Sequence, residues 1–317
     1  PSPGILARMP LLNTSRKPVT VQLARNLTRA IKRRHAWLYA DALRSVPNVP
    51  PGTPAILLDN KGGNEIARGY LHAESPLALR VCTTRRGEAL DDTWITQRLR
   101  AALAIRSNLF NDQTNAHRLI NGEGDGLPGL VVDRYAEHAV IKLDGPAAEG
   151  FYDPHAIAVW LADQAQLPIK HVIQRFKLRD HDEERAITLH GALPTAPIPF
   201  TEHGMRLAAD LIHGQKTGFF LDQRENRRRI RQLSADNRVL NIFGYTGCFS
   251  AAAALGGAVD LTTVALSPPA IEIANDNSAR NDLPPAPPHG LTADAFDFLA
   301  QANKRADRWD IVILDPP

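Results

Sequence analysis

The residues that could do chemistry begin with a glycine-bracketed turn, Gly244-Tyr245-Thr246-Gly247. An apolar run at 239–243 precedes this turn, and an alanine-rich run at 250–255 follows it. A strand, a glycine turn and a helix in this order open many nucleotide sites. Glycine lets the backbone approach a ligand, which then lies at the positive end of the helix. A single Gly-x-x-Gly is weak by itself, because a tight turn that binds nothing has the same pattern.

Two further stretches carry charged residues suited to the same site. The stretch at 213–224 reads HGQKTGFFLDQR, and LDPP follows the strand-like run WDIVI at 309–313. Lys216 does not belong to a phosphate-binding P-loop, because the Gly-x-x-x-x-Gly-Lys frame is absent. Alternating strand and helix patterns from 238 to 314 predict a parallel α/β sheet, whose ligands bind at the carboxyl ends of the strands. All three stretches are therefore expected to meet at one edge of that sheet.

The two cysteines, Cys82 and Cys248, lie far apart in the sequence and predict neither a disulfide framework nor a zinc site. Both are expected to pack as small apolar side chains, Cys82 in a core and Cys248 in the glycine turn. No apolar run approaches the roughly 18–20 residues of a membrane span. These features predict a cytoplasmic protein that does not contact a membrane.

The charge distribution predicts a polyanionic partner. The net charge of the 317 residues is only +3, yet the first 40 residues contain no Asp or Glu. A block of this kind binds phosphates with release of counterions, although a solvated or disordered basic arm has the same composition. Within it, Arg33, Arg34 and His35 are the candidate RNA contacts, and Trp37 is expected to pack in a core rather than stack on a base. Arg227, Arg228, Arg229 and Arg231 form a second basic group, either solvated or facing RNA.

Four regions are predicted along the chain. Residues 1–18 are an irregular, proline-rich arm. Residues 19–88 alternate like short strands separated by turns, which predicts a small β-rich domain. Residues 89–193 mix a long helical pattern with strands, and the GEGDGLPG stretch at 122–129 is expected to be a hairpin-forming turn rather than a calcium loop. Residues 194–317 form the α/β region. The boundary before it is marked by a proline-rich linker at 193–199.

Four blocks in this order resemble one family. They are RRHAWLY at 33–39, GEGDGLPGLVVDRY at 122–135, HGQKTGFFLDQRENR at 213–227 and LNIFGYTGCFSAAAALGG at 240–257, closed by the final LDPP. The chain resembles, over about residues 19–317, the bacterial large-subunit (23S) ribosomal RNA cytosine-C5 methyltransferases with an N-terminal PUA domain. The resemblance implies a PUA RNA-binding domain, a central α+β domain, and a Rossmann-like class I methyltransferase domain that uses S-adenosylmethionine.

The resemblance also implies roles for individual residues. The cofactor rim would be shaped by Lys216, Thr217, Phe219, Asp222 and Arg224. The methionine moiety would be held by Asn241, Phe243, Tyr245 and Gly247. Asp294 and Ala295 would lie beside the adenine, and Asp315, Pro316 and Pro317 would lie at the junction of cofactor and base. Ribosomal RNA is the implied partner, no metal is implied, and a homodimer is one assembly this chain could form.

Two departures from the family pattern qualify this interpretation. The acidic residue that ends the second strand and binds the ribose hydroxyls is replaced by Ala265, which predicts weakened cofactor binding. The family's nucleophilic cysteine lies downstream of Asp-Pro-Pro, beyond Pro317. The chain is therefore expected to be C-terminally truncated, with an incomplete methyltransferase domain and weak or no activity. Two alternatives remain at this point: a nitrogen-directed nucleobase methyltransferase, and a catalytically inactive RNA-binding protein.

Overall fold

The computed structural model describes residues 9–13, 16–107, 111, 113–164, 166–177, 184–283 and 290–316. The chain divides into two compact units. The first comprises Pro1–Phe110, His117–Thr195 and Leu211–His213; the second comprises Asn111–Ala116, Ala196–Asp210 and Gly214–Pro317. The predicted region 19–88 falls within the first unit, and so does region 89–193 except for Asn111–Ala116. The boundary between these two regions stays a prediction.

The first unit begins with a five-stranded sheet in the order β1-β3-β4-β5-β2. Its elements are β1 (Val19–Gln22), α1 (Thr28–Lys32), β2 (Trp37–Tyr39), β3 (Thr53–Leu58), β4 (Glu65–Leu71) and β5 (Leu77–Thr83). Alternate apolar residues of these strands, with Ile31 of α1, form one core. Strand β2 stands at one end of this strand order and pairs antiparallel with β5, so it forms an edge of the sheet.

A second five-stranded sheet in the same unit has the order β10-β9-β8-β7-β6. The elements are α2 (Asp92–Ser107), β6 (Ala116–Asn121), β7 (Leu130–Tyr135), β8 (His138–Leu143), α3 (Pro146–Phe151), α4 (Pro154–Ala162), β9 (His171–Lys177) and β10 (Glu184–His190). The expected turn before β7 contains a single 3₁₀ turn, Gly122–Asp125. Strands β8 and β9 are parallel, and α3 and α4 lie in the connection between them.

The second unit combines a hairpin with a four-stranded parallel sheet. Its elements are β11 (Ile198–Glu202), β12 (Met205–Ala209), α5 (Arg224–Leu233), β13 (Arg238–Ile242), α6 (Cys248–Leu255), β14 (Asp260–Ala265), α7 (Pro268–Arg280), β15 (Gly290–Thr292), α8 (Ala295–Arg305) and β16 (Ile311–Leu314). His203 and Gly204 close the hairpin with φ of 48° and 74°. Positive φ at both turn residues is the two-residue turn that matches the twist of paired strands.

The parallel sheet has the order β15-β14-β13-β16. The chain runs outward from β13 to β15 and then returns to the opposite side of β13, so the strand order reverses between β13 and β16. Val239 of β13 packs into a core on one face, and Leu240 and Ile242 pack into a core on the other. This doubly covered parallel sheet confirms the predicted Rossmann-like α/β class, in which ligands bind at such a reversal point.

Several elements escaped the sequence patterns. Strand β11 occupies part of the expected proline-rich linker. Pro199 is tolerated there because, in the part of the chain that the structure describes, β11 pairs with β12 alone and is an edge strand. Strands β2 and β15 have only three residues each, too few to show a period. In the part of the chain that the structure describes, none of the helices has both the length and the apolar character needed to cross a bilayer.

Candidate cofactor site

A cavity of about 460 Å³ opens at the carboxyl ends of β13, β14 and β16. This volume falls in the range of small-molecule sites. Residues from all three predicted stretches line it: Gln215, Lys216, Phe219, Phe220, Gln223, Arg227, Asn241, Phe243, Gly244, Tyr245, Thr246, Cys248, Phe249, Ala265, Leu266, Ser267, Ala270, Asp315 and Pro316. The three stretches therefore meet at one edge of the parallel sheet, as the sequence predicted.

The turn between β13 and α6 has an unusual backbone. Phe243 and Tyr245 adopt left-handed φ values of 59° and 44°, where most side chains are strained. Gly247 also has a positive φ, 68°, and a Cβ there would lie 2.5 Å from the Cβ of Ala274. Gly247 does not line the cavity, so its need for glycine comes from the close packing of α7 against the turn.

Buried hydrogen bonds hold the end of β13. The side-chain amide of Asn241 donates to Ser250 Oγ at 2.9 Å, and Ser250 Oγ lies 2.7 Å from Thr263 Oγ1. Ser250 is the third residue of α6 and Thr263 lies on β14. The network therefore joins β13, α6 and β14. Asn241 is thus positioned at the cavity by partners that are themselves buried.

The 213–224 stretch forms one wall of the cavity. The ammonium of Lys216 lies 2.9 Å from both carboxylate oxygens of Asp222 and 4.3 Å from the centroid of the Phe220 ring. Phe220 meets Tyr245 edge-to-face with centroids 5.8 Å apart. Of the predicted rim residues, Lys216 and Phe219 line the cavity. Thr217 is buried, and Asp222 and Arg224 lie outside the lining, where Arg224 pairs with Glu225.

Arg227 differs from both expectations for the basic residues of α5. Its side chain is buried and forms a bidentate ion pair with Glu202, and its guanidinium lies 4.7 Å from the Phe219 ring centroid. Arg228 and Arg229 are exposed, so the solvated or RNA-facing interpretation applies to them. The sequence does not distinguish Arg227 from the arginines near it on α5, because only the tertiary fold brings Glu202 next to it.

The second strand of the parallel sheet ends at Ala265, which lines the cavity together with Leu266 and Ser267. The methyl group of Ala265 offers no acceptor at a position where a carboxylate would bind ribose hydroxyls. The nearest acidic residue on the same strand, Asp260, lies at its opposite end and is 3.2 Å from Arg238. The cavity therefore has no carboxylate contributed by β14.

The remaining predicted residues divide between the cavity and its surroundings. Asp294 caps α8, where its Oδ1 accepts hydrogen bonds from the backbone N–H groups of Phe296 and Asp297. Asp294 and Ala295 are not among the lining residues. Asp315 and Pro316 line the cavity beyond β16, and Pro317 lies outside the described residues.

Both cysteines are buried, as predicted. Burial raises the pKa of the Cys248 thiol to about 11, partly opposed by Arg227 and by a hydrogen bond with Thr246. Burial likewise raises the pKa of Cys82. At neutral pH both side chains are therefore thiols rather than nucleophilic thiolates.

The predicted RNA contacts lie in the first unit. Arg33, Arg34 and His35 line a hollow of about 510 Å³ together with Trp37 and Tyr39. The expectation that Trp37 packs in a core is wrong, because 41% of its surface is exposed. Strand β2 is three residues long and turns Leu38 inward, so both of its aromatic neighbours face outward.

Sequence analysis missed several lining residues, among them Phe220, Gln223, Phe249 and Ala270. Phe220 and Gln223 are next to predicted residues in the 213–224 stretch, and this proximity could have identified them as lining residues. Phe249 and Ala270 lie near helix starts, and apolar residues there are indistinguishable in sequence from ordinary core.

Comparisons with known proteins agree with this geometry. A family model described as S-adenosylmethionine-dependent methyltransferase matches residues 155–317, and a PUA-like domain model matches residues 21–84. The chain is 39% identical to "Ribosomal RNA large subunit methyltransferase" of Deinococcus radiodurans, over 90% of this chain and 72% of that protein. It is 32% identical to "Ribosomal RNA large subunit methyltransferase I" of Shewanella frigidimarina, over 94% and 76% respectively.

A solved methyltransferase structure in complex with SAH shares the fold, with a TM-score of 0.79 at 23% identity over 95% of this chain and 76% of that one. The fold and the cavity thus define an S-adenosylmethionine-dependent methyltransferase with a PUA-like domain. Within that class, the chain belongs to the family of ribosomal RNA large subunit methyltransferases. The predicted fold class, enzyme class and cofactor are confirmed.

Proposed function

We propose that this protein transfers a methyl group from S-adenosylmethionine to C5 of a cytosine in large-subunit ribosomal RNA. The observation that carries the substrate is the 39% identity, over 90% of the chain, to a large-subunit ribosomal RNA methyltransferase. The choice of cytosine C5 rests on the four sequence blocks described above. The same proposal includes four regions along the chain, 1–18, 19–88, 89–193 and 194–317. It also includes a homodimer, which light scattering would test.

The cavity suits the methionine end of the cofactor better than its ribose end. In the proposal, Asn241, Phe243 and Tyr245 hold the methionine moiety, and Lys216 and Phe219 contribute the rim. Gly247 would contribute by shaping the turn, and Thr217, Asp222 and Arg224 by supporting the wall. Asp294 and Ala295 would lie beside the adenine. Because Oδ1 of Asp294 caps α8, its Oδ2 would accept a hydrogen bond from the adenine amine.

The bound cofactor supplies an electrophilic methyl group. The chain's own residues would place the target base, with the Asp315 carboxylate and the Pro316 backbone at the junction beside β16. Pro317 is proposed to complete that junction. In cytosine-C5 methylation a thiolate adds to C6, C5 takes the methyl group, and loss of the C5 proton then expels the thiolate. Neither Cys82 nor Cys248 suits the thiolate role, since each is buried with a raised pKa. The proposal therefore takes the thiolate from the cysteine that the family carries downstream of Asp-Pro-Pro.

A tritium-release assay tests the position of methylation. Large-subunit ribosomal RNA carrying tritium at C5 of its cytosines is incubated with the protein and S-adenosylmethionine. Methylation at C5 must release one tritium for each methyl group gained, because the C5 hydrogen leaves. Transfer to a ring or exocyclic nitrogen would add methyl groups without releasing tritium, and would replace the C5 proposal with the nitrogen-directed one.

A second measurement separates enzyme from inert binder. RNA mobility shift with and without S-adenosylhomocysteine reports whether binding depends on the cofactor site. A protein that shifts the RNA, ignores the cofactor and transfers no methyl group would contradict the proposed activity.

A further inference from the structure

The edge strand β2 carries two exposed aromatic rings. Trp37 and Tyr39 are 41% and 49% exposed, while Leu38 between them is buried. Alternate residues of a strand point to the same side, so the two rings face outward together. Because large aromatic side chains are usually buried for their apolar area, two exposed rings on one edge strand make this surface a candidate binding site.

The Trp37 ring is held in place from the central part of the same unit. Its indole Nε1 donates to Glu123 Oε1 at 2.8 Å. The same carboxylate oxygen accepts from Arg80 Nη1 at 2.8 Å, and Arg80 also pairs with Asp144. Glu123 belongs to the 3₁₀ turn Gly122–Asp125. An aromatic ring fixed before binding loses less conformational freedom when a ligand arrives.

Positive charge surrounds these rings. Arg33, Arg34 and His35 line the same hollow of about 510 Å³. Arg33 and Arg34 are exposed and form no ion pair with any other residue in the described ranges. Among the described residues that line the hollow, the one acidic side chain is that of Asp41, which pairs with Arg25 at 3.1 Å. The hollow therefore offers unneutralised guanidinium groups beside bare aromatic faces.

This combination favours an unpaired stretch of RNA over other partners. Bases splayed out of a helix stack on aromatic side chains while basic residues contact the flanking phosphates. A duplex would present phosphates but no free base faces. We propose that Trp37 and Tyr39 stack unpaired nucleobases, with Arg33 and Arg34 on the adjacent phosphates. This inference rests on the proposed RNA substrate and identifies residues that bind unpaired nucleotides, none of which lines the cofactor cavity.

Binding of a labelled twelve-nucleotide oligouridylate to the full chain, measured by fluorescence anisotropy, tests the proposal. Oligouridylate has little structure, so its bases are free to stack. W37A is expected to weaken binding about 5- to 150-fold, with W37F between W37A and the unmodified chain. The double variant R33A/R34A should instead lower the salt dependence, reducing the slope of log K against log salt by about 1–2.

V159A is the matched control, because Val159 is exposed on α4 and takes no part in this hollow. Thermal melting of each variant checks that the fold is intact. Equal affinity of folded W37A and the unmodified chain would overturn the stacking role. That result is separable from failure of the proposed function, because tritium release is measured independently on ribosomal RNA with the unmodified chain.

Discussion

Arg227 and Glu202 form a buried bidentate ion pair in which Nε donates to Oε1 and Nη2 donates to Oε2, both at 2.6 Å. Their side chains are 2% and 1% exposed. Glu202 ends β11 and Arg227 lies on α5, so the pair fastens the hairpin to the helix that lines the cofactor cavity. Burial alone would lower the pKa of Arg227, but the hydrogen bonds with Glu202 raise it instead.

Removing one member of this pair should be severely destabilising. E202L leaves the Arg227 guanidinium buried without its carboxylate, and we expect a loss of about 3–5 kcal/mol in the free energy of unfolding. Urea denaturation measures this loss. R25A is the matched control, because it breaks an exposed pair worth at most about 1 kcal/mol.

The double variant E202L/R227M removes both charges and is expected to recover most of that stability, since apolar residues can replace a buried ion pair. If E202L alone cost less than about 1 kcal/mol, the pair would not be the fastening that its burial indicates.

Restoring a carboxylate at the end of β14 should strengthen cofactor binding. A265D places a charged acceptor where the ribose hydroxyls are expected, and charge-assisted hydrogen bonds of this kind contribute about 1.5–3 kcal/mol. The affinity for S-adenosylmethionine should rise about 10- to 150-fold in calorimetry. A265N, of similar size but uncharged, should gain less. Low-micromolar affinity in the unmodified chain would contradict the weakened binding that we infer from Ala265.

Gly247 should not tolerate a side chain. G247A combines a left-handed φ of 68° with a Cβ placed 2.5 Å from Ala274 Cβ. The φ alone costs about 1–2 kcal/mol for a non-glycine residue, and the contact adds to this. Chemical denaturation would report the loss. G63A is the control, because a Cβ at Gly63 meets nothing within 4 Å; equal losses in both variants would refute the packing explanation.

The Cys248 thiol should react slowly and with a steep pH dependence. With a pKa of about 11, its thiolate fraction at pH 8 is about one in a thousand, against about one in four for an ordinary cysteine. Alkylation by iodoacetamide, followed by peptide mass spectrometry, should therefore be at least about 200-fold slower than for a free cysteine. The rate should rise about tenfold per pH unit from 7 to 10, while the protein stays folded. A rate that levels off above about pH 9 would mean that the thiol has an ordinary pKa.

The sequence alone predicted much of the fold, because its strongest patterns are local. The short strands expected within residues 19–88 are present as β1 to β5, and the strand, glycine turn and helix around Gly244 also lie where expected. The spacing of apolar residues and the position of glycines reflect only a few neighbouring residues. They therefore predict an element without knowledge of what packs against it. The departure at Ala265 was likewise visible, since it depends only on the residue that follows a predicted strand.

The sequence by itself thus determined the class of fold, the cofactor and the three stretches that meet at the cavity. The tertiary structure decided which side chains line that cavity, and it turned Arg227 inward to Glu202. It also decided that Trp37 faces solvent, held by Glu123. These contacts join residues distant in the chain, and the burial and charge they create depend on how the elements pack, which local sequence patterns do not encode.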